Sequence, residues 1–231
     1  MKALLYKEFK LAMHPICYVF IAMFPLMILI PSYPIAIGFL YVLTCYPILF
    51  LGANKGQQSN DLLYSTLLPI RKKDIVKARI MTVFIMHLAF IAITSALYPV
   101  ALMINNGITE SALAEDPMAN PITNAGLGLN SYVLVLAIVI IGYAIADLIF
   151  FPIYYKNGKS IVMSTLMMII GFVVYLGVFT IGMPYIPGME WTNELPLYVQ
   201  FIVLGVSLLI YAVLHLAVYK VSSKRLEKVD F

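Results

Sequence analysis

Charge is what this sequence has least of. Asp, Glu, Lys and Arg make up 11% of its 231 residues, against roughly 25% in soluble domains. Too few charges exist to coat a water-facing surface. Apolar residues make up 62% of the chain and the mean hydropathy is +0.95. A soluble catalytic or nucleic-acid-binding domain is thereby excluded, and lipid is the solvent for most of the surface. Cysteine is almost absent as well. Cys17 and Cys45 lie in apolar runs without metal-site spacing, and they read as small buried hydrophobes rather than a disulfide framework. Histidine occurs three times, at His14, His87 and His215, on separate segments and without an HExxH pattern, so no metalloprotease signature is present. The N-terminus does not read as a cleaved leader. Lys7, Glu8 and Lys10 interrupt its apolar stretch, and no small-residue cleavage pattern follows Pro31.

Long apolar runs are what the sequence has in abundance. A hydrocarbon core about 30 Å thick takes ~20 residues of helix. Six spans are predicted, at about 15–30, 34–51, 75–103, 132–151, 160–181 and 197–218. They are continuously apolar rather than alternating, which argues for helices and against barrel strands. The predicted fold class is therefore all-α and polytopic. Its domains are an amphipathic segment over 1–14 and one transmembrane domain over 15–231. Lys2, Lys7 and Lys10 precede the first span. Lys55, Arg71, Lys72, Lys73, Lys77 and Arg79 lie between the second and third. Lys156 and Lys159 lie between the fourth and fifth, and Lys220, Lys224, Arg225 and Lys228 follow the sixth. With six spans, all fifteen cations fall on one side. Positive charge resists translocation, so that side and both termini are cytoplasmic. Glu110, Glu115, Asp116, Glu190 and Glu194 fall outside, in loops at about 104–130 and 182–196. Tyr33, Tyr98, Tyr132, Tyr185, Trp191 and Tyr198 at outer ends, with Tyr154, Tyr155 and Tyr219 at inner ends, resemble aromatic belts.

Five segments invite a functional reading. In the first fourteen residues, Met1, Leu5, Phe9 and Ala12 share one helical face and Lys7, Lys10 and His14 another, with Glu8 intruding on the apolar arc. This is either an interfacial helix or an extension of the first span. Between spans two and three, Ser59, Asn60 and Asp61 can cap a short helix in which Leu63 pairs with Leu67, and Tyr64 with Leu68, before Pro69 ends it. Its apolar face is either a partner-binding surface or rests on headgroups. Asp147 is the single acidic residue deep in a span. Such a charge costs about 2.5–3.5 kcal/mol; it reads as snorkelling or pairing with Lys156 or Lys159, with a proton-relay role as the alternative. Met163, Met167 and Met168 read as ordinary apolar contacts. Gly158-Lys159-Ser160 is no nucleotide loop, because Ile153 stands where the required glycine would be.

Several of these features resemble the ABC-2 type permeases, the membrane subunits of ATP-binding-cassette exporters. The Lys7-Glu8 start is similar to that family's elbow helix. Ser65-Thr66-Leu67-Leu68-Pro69, followed by Arg71, Lys72, Ile75, Val76, Ala78 and Arg79, resembles its "LP-x-x-(R/K)…IV-x-(A/G)-R" stretch. Phe151-Pro152-Ile153-Tyr154-Tyr155-Lys156 with Gly158 is similar to a "P-x-Y-x-K-x-G" turn of one subgroup. Within the family the chain most resembles permeases of the phenol-soluble-modulin exporter type. The resemblance implies a bacterial cytoplasmic-membrane half-transporter. Two permease chains, as a homodimer, would pair with two separate ATP-binding subunits that bind ATP and Mg; no cofactor and no catalytic or metal residue is implied here. The coupling segment would be Asp61, Leu62, Leu63, Tyr64, Ser65, Leu67, Leu68, Arg71 and Lys72. A second inner loop would be Tyr154, Tyr155, Lys156 and Lys159. The spans offer no polar lining for a sugar or ion, so the expected cargo is hydrophobic or amphipathic. The alternative is a stand-alone secondary transporter, which would want more intramembrane ions than Asp147. Accessibility labelling of cysteines placed at 71–79 in intact cells is expected to report a cytoplasmic segment; labelling from outside would overturn the topology.

Overall fold

The computed structural model describes residues 2–13, 15–29, 38, 41–42, 65, 69–115, 132–157, 161–178 and 196–228. Among these residues every element is helical, as a chain in hydrocarbon requires, because a helix closes its own backbone hydrogen bonds. Helix α1 (Lys2–Lys7) widens into a π-helical turn over Glu8–Ala12. The axis then swings by 82° into α2 (Pro15–Met23). Two features make the bend. Met13 is extended, with ψ 125°, and Pro15 opens α2 at a position where its missing N–H leaves no orphan. The Tyr18 hydroxyl donates to the Phe9 carbonyl across the corner, at 2.6 Å. Pro25 lies where α2 tightens into a 3₁₀ turn, Phe24–Leu29, as loss of an i→i−4 bond favours.

Three long helices follow with a shorter one between them. They are α3 (Lys72–Glu115), α4 (Tyr132–Asn157), α5 (Ile161–Gly177) and α6 (Leu197–Glu227). By length and composition α3, α4 and α6 can each cross a membrane, and α1 with α2 forms a bent pair that passes the same test as one span; α5 is the shorter apolar helix. The chain is thus an all-α, multi-pass membrane protein. The expected outer loop at 104–130 needs a correction, since α3 continues through its first part to Glu115. At 44 residues it is about 66 Å long, twice the hydrocarbon thickness. Falling hydropathy marks where lipid ends; it does not end a helix whose residues still favour one. The expected second span at 34–51 lies outside the described residues except for Gly38, Tyr41 and Val42, which are buried.

Helix α4 is the most enclosed of the long helices and α6 the least. Helix α4 packs along α6 on one side and on α5 on the other. The α4–α5 contact rests on two glycines placed reciprocally. A Cβ at Gly142 of α4 would stand 2.7 Å from the Phe172 ring and 3.2 Å from Tyr175; one at Gly171 of α5 would stand 2.3 Å from Ile149 Cδ1. Lipid tails are as apolar as the helices, so such close approach and its dispersion contacts hold the pair together. The Tyr175 hydroxyl adds a bond to the Ile138 carbonyl at 2.8 Å. Gly142→Val is expected to cost about 1–3 kcal/mol through overpacking, seen as a lowered melting midpoint in detergent. Gly205→Ala, where a Cβ meets nothing within 4 Å, is the control expected to leave the midpoint unchanged or raised.

Candidate functional site

Polar side chains on different helices meet in three tiers among the described residues. The first lies where the basic ends of α3, α4 and α6 meet. Glu8, the residue that spoils the apolar arc of α1, is buried there. Arg79 of α3 grips it bidentately, Nε donating to Oε2 at 2.8 Å and Nη2 to Oε1 at 3.2 Å. The third guanidinium nitrogen, Nη1, donates to the Tyr154 hydroxyl of α4 at 3.3 Å. A planar fork with donors to spare is what lets one side chain tie three elements together. Lys7 reaches the other way and donates to the Ser65 hydroxyl, while its ammonium stays 3.8 Å from Glu8. Arg225 of α6 donates to the Pro152 carbonyl of α4 at 2.6 Å. Lys73 and Glu227 pair at 3.1 Å, in the open, where such a pair contributes little.

The second tier lies deep in the bundle. Asp147 stands about 15 Å of helix from the end of α4 at Asn157 and is fully buried. Its Oδ2 is 2.8 Å from His215 Nε2 of α6 and 3.8 Å from His87 Nδ1 of α3. Tyr211, one turn before His215, touches both imidazoles: its hydroxyl is 2.9 Å from His87 Nδ1, and its carbonyl 3.2 Å from His215 Nδ1. Aromatic rings wall the cluster. Tyr143 stacks on His87 with centroids 4.3 Å apart; Tyr41 stands edge-on to His87 and Tyr143, each at 5.6 Å; Phe84 meets His215 edge-on. The third tier, toward the far end, is Tyr98 stacked on Tyr132 at 4.3 Å, with Ser95 Oγ 3.3 Å from the Tyr132 hydroxyl.

These tiers redraw the expected site. Asp147 is fully buried and does not pair with a lysine among the described residues; histidines that sequence placed on separate spans close around it. The reason is register: His87 lies eight residues past Arg79, Asp147 seven before Tyr154, and His215 ten before Arg225. The three helices therefore bring these residues to one depth, about 11–15 Å from the basic tier. Of the expected second inner loop, Tyr154 and Tyr155 are buried and Lys156 is exposed; Lys159 lies outside the described residues. Of the expected coupling segment, Ser65 is helical and buried, and Lys72 opens α3. Asp61, Leu62, Leu63, Tyr64, Leu67 and Leu68 lie outside the described residues. Sequence reasoning missed Glu8 and Arg79 as partners. The signal available was a lone acid on the apolar face of a helix otherwise suited to lipid.

A family model described as ABC-2 family transporter protein matches residues 3–224. The chain belongs to that family. No curated protein and no solved structure matches it. As an ABC-2 family member it is a membrane transport component, a permease of an ABC transporter, and such a permease works with an ATP-binding partner. The match spans the second and third tiers whole and the first except for Arg225 and Glu227. In this ABC-2 protein, Glu8→Gln is expected to lower stability by about 3–5 kcal/mol, because it strands the buried Arg79 cation. Replacing both charges together, Glu8→Leu with Arg79→Met, is expected to recover most of that loss. Melting midpoints of the single and double variants in detergent provide the check.

Proposed function

We propose that this permease is the membrane half of an ATP-driven exporter. Two copies pair with two ATP-binding subunits, which bind ATP and Mg, and the cargo is hydrophobic or amphipathic, such as an amphipathic peptide or a lipid-like molecule. The observation that carries the reading is the buried knot of Glu8, Arg79 and Tyr154 with the adjoining Lys7–Ser65 bond. Ser65 belongs to the segment proposed to dock on the ATP-binding subunit. Arg79 lies two turns into α3, just after that segment. Tyr154 belongs to the second inner loop proposed to touch the same partner. A push on the docked segment is thereby passed to the elbow, α3 and α4 at once rather than absorbed in a loop. Bistable helix interfaces amplify small local shifts into rigid-body movement, and closure of the ATP-binding dimer supplies the shift.

The cargo class rests on the lining. Among the described residues, the charged groups within the bundle are tied to one another in the first two tiers, and α5 and α6 expose many large apolar side chains, including Val162, Leu166, Val174, Leu209, Val213 and Leu216. A sugar or free ion finds little to replace its water there. Exchanging Leu63 and Leu67 for Asp is expected to reduce co-purification of the ATP-binding subunit at least tenfold and to abolish ATP-dependent transport in proteoliposomes. Full recruitment by the double variant would overturn the coupling role. Uptake driven by an ion gradient with this chain alone would overturn the exporter reading in favour of secondary transport.

A further inference from the structure

The His87–Asp147–His215 cluster is not used by the coupling route, and its geometry poses a separate question. Ionisable groups inside a membrane are expensive and carry a role by default. Here three of them come from three helices, and one ligating atom of each lies within 4.8 Å of the others. His87 and Asp147 are fully buried, and His215 keeps a sliver of exposure, 8%.

The hydrogen positions follow from chemistry. A carbonyl only accepts, so the 3.2 Å contact between His215 Nδ1 and the Tyr211 carbonyl places the ring hydrogen on Nδ1. In the neutral form of the ring that leaves the Nε2 lone pair facing the Asp147 carboxylate, whereas a second proton on Nε2 would make an imidazolium–carboxylate pair that calls for a straight N–H···O bond. Nε2 and Oδ2 are 2.8 Å apart, yet they are not aligned as donor and acceptor, and neither oxygen of Asp147 has an aligned donor among the described residues. Two electron-rich atoms held that close in a dry interior repel unless a cation is shared between them. His87 Nδ1 lies 3.8 Å from the same oxygen and is hydrogen-bonded to the Tyr211 hydroxyl at 2.9 Å, a bond that an ion ligated by Nδ1 displaces. A tetrahedral ion about 2.0–2.1 Å from nitrogen and oxygen ligands separates those ligands by roughly 3.3 Å. The observed separations, 2.8 and 3.8 Å, straddle that spacing.

We propose that His87, Asp147 and His215 form an intramembrane binding site for a divalent transition-metal ion of the zinc class, which joins α3, α4 and α6 at mid-depth. Two imidazoles and one carboxylate suit zinc, cobalt or nickel and do not suit magnesium or calcium, which want an all-oxygen shell. The stacked Tyr143 ring and the Tyr211 carbonyl fix the two imidazoles, in the manner of outer-shell partners. His215, with its residual exposure, marks the side of entry. The carboxylate lowers the charge of the bound ion, and the aromatic wall keeps competing water away.

The test uses the full chain in detergent, with any co-purifying ATP-binding subunit retained, after dialysis against chelator. Titration with Co2+, read by its visible absorption, is expected to give about one ion per chain with the intense bands of tetrahedral nitrogen and oxygen ligation, and Zn2+ is expected to displace it. Asp147→Asn and His215→Gln are each expected to weaken binding at least tenfold. His14→Gln, remote in sequence from the cluster, is expected to change nothing. If the ligand variants do not fold, the wild type decides alone: Zn2+ is expected to raise its melting midpoint where Mg2+ does not. No cobalt spectrum and no zinc-dependent stabilisation of the wild type would overturn the site and leave a proton as the shared cation. Undiminished binding by a folded Asp147→Asn variant would place the metal elsewhere and overturn it equally.

Discussion

Hydrocarbon offers no hydrogen bonds, and the rest of this structure follows from that constraint. Each polar side chain in the spans must find its partner on another helix or on its own backbone. Thr82, Thr94 and Ser207 take the local solution and donate to carbonyls one turn back. Glu8, Arg79 and Asp147 have no such solution. They meet their counterparts on other helices only when α1, α3, α4 and α6 stand in one register, so the charged groups specify the arrangement that apolar contacts alone would leave degenerate. The apolar faces tolerate sliding; a bidentate guanidinium grip at 2.8 and 3.2 Å does not.

The same constraint explains the division of labour along the bundle. At the basic end, ion pairing ties the amphipathic start to α3 and α4. At mid-depth, the His–Asp–His cluster ties α3, α4 and α6 without contact with the first tier. At the far end, aromatic stacking of Tyr98 and Tyr132 takes over, in keeping with rings that have one apolar and one wet side. On the opposite flank, α5 is held to α4 by glycine clefts and one tyrosine hydroxyl. It is the long helices, rather than α5, that carry the polar register.

Much of the fold was legible because lipid makes sequence simple. A run such as Tyr132–Phe151 has no choice but helix. Helix ends were less legible. Helix α3 runs to Glu115 because hydropathy reports the boundary of the solvent and not that of the hydrogen-bond ladder. The site was legible only in part. Asp147 announced itself as a charge in the wrong solvent, and Glu8 as a charge on the wrong face. Neither announced its partner, since His87 and Arg79 are distant in sequence and each, taken alone, reads as an ordinary residue near a span.

Sequence by itself determined the solvent and the helical class, because these depend on the transfer energy of each residue taken singly. It also carried the family through its short motifs. Tertiary structure decided which charges meet. That depends on the rotation and depth of one helix relative to another, set jointly by glycine clefts, the bend at Pro15 and the packing of α4 against its neighbours. No local pattern encodes the 2.8 Å between Asp147 and His215, because it is a property of two helices at once.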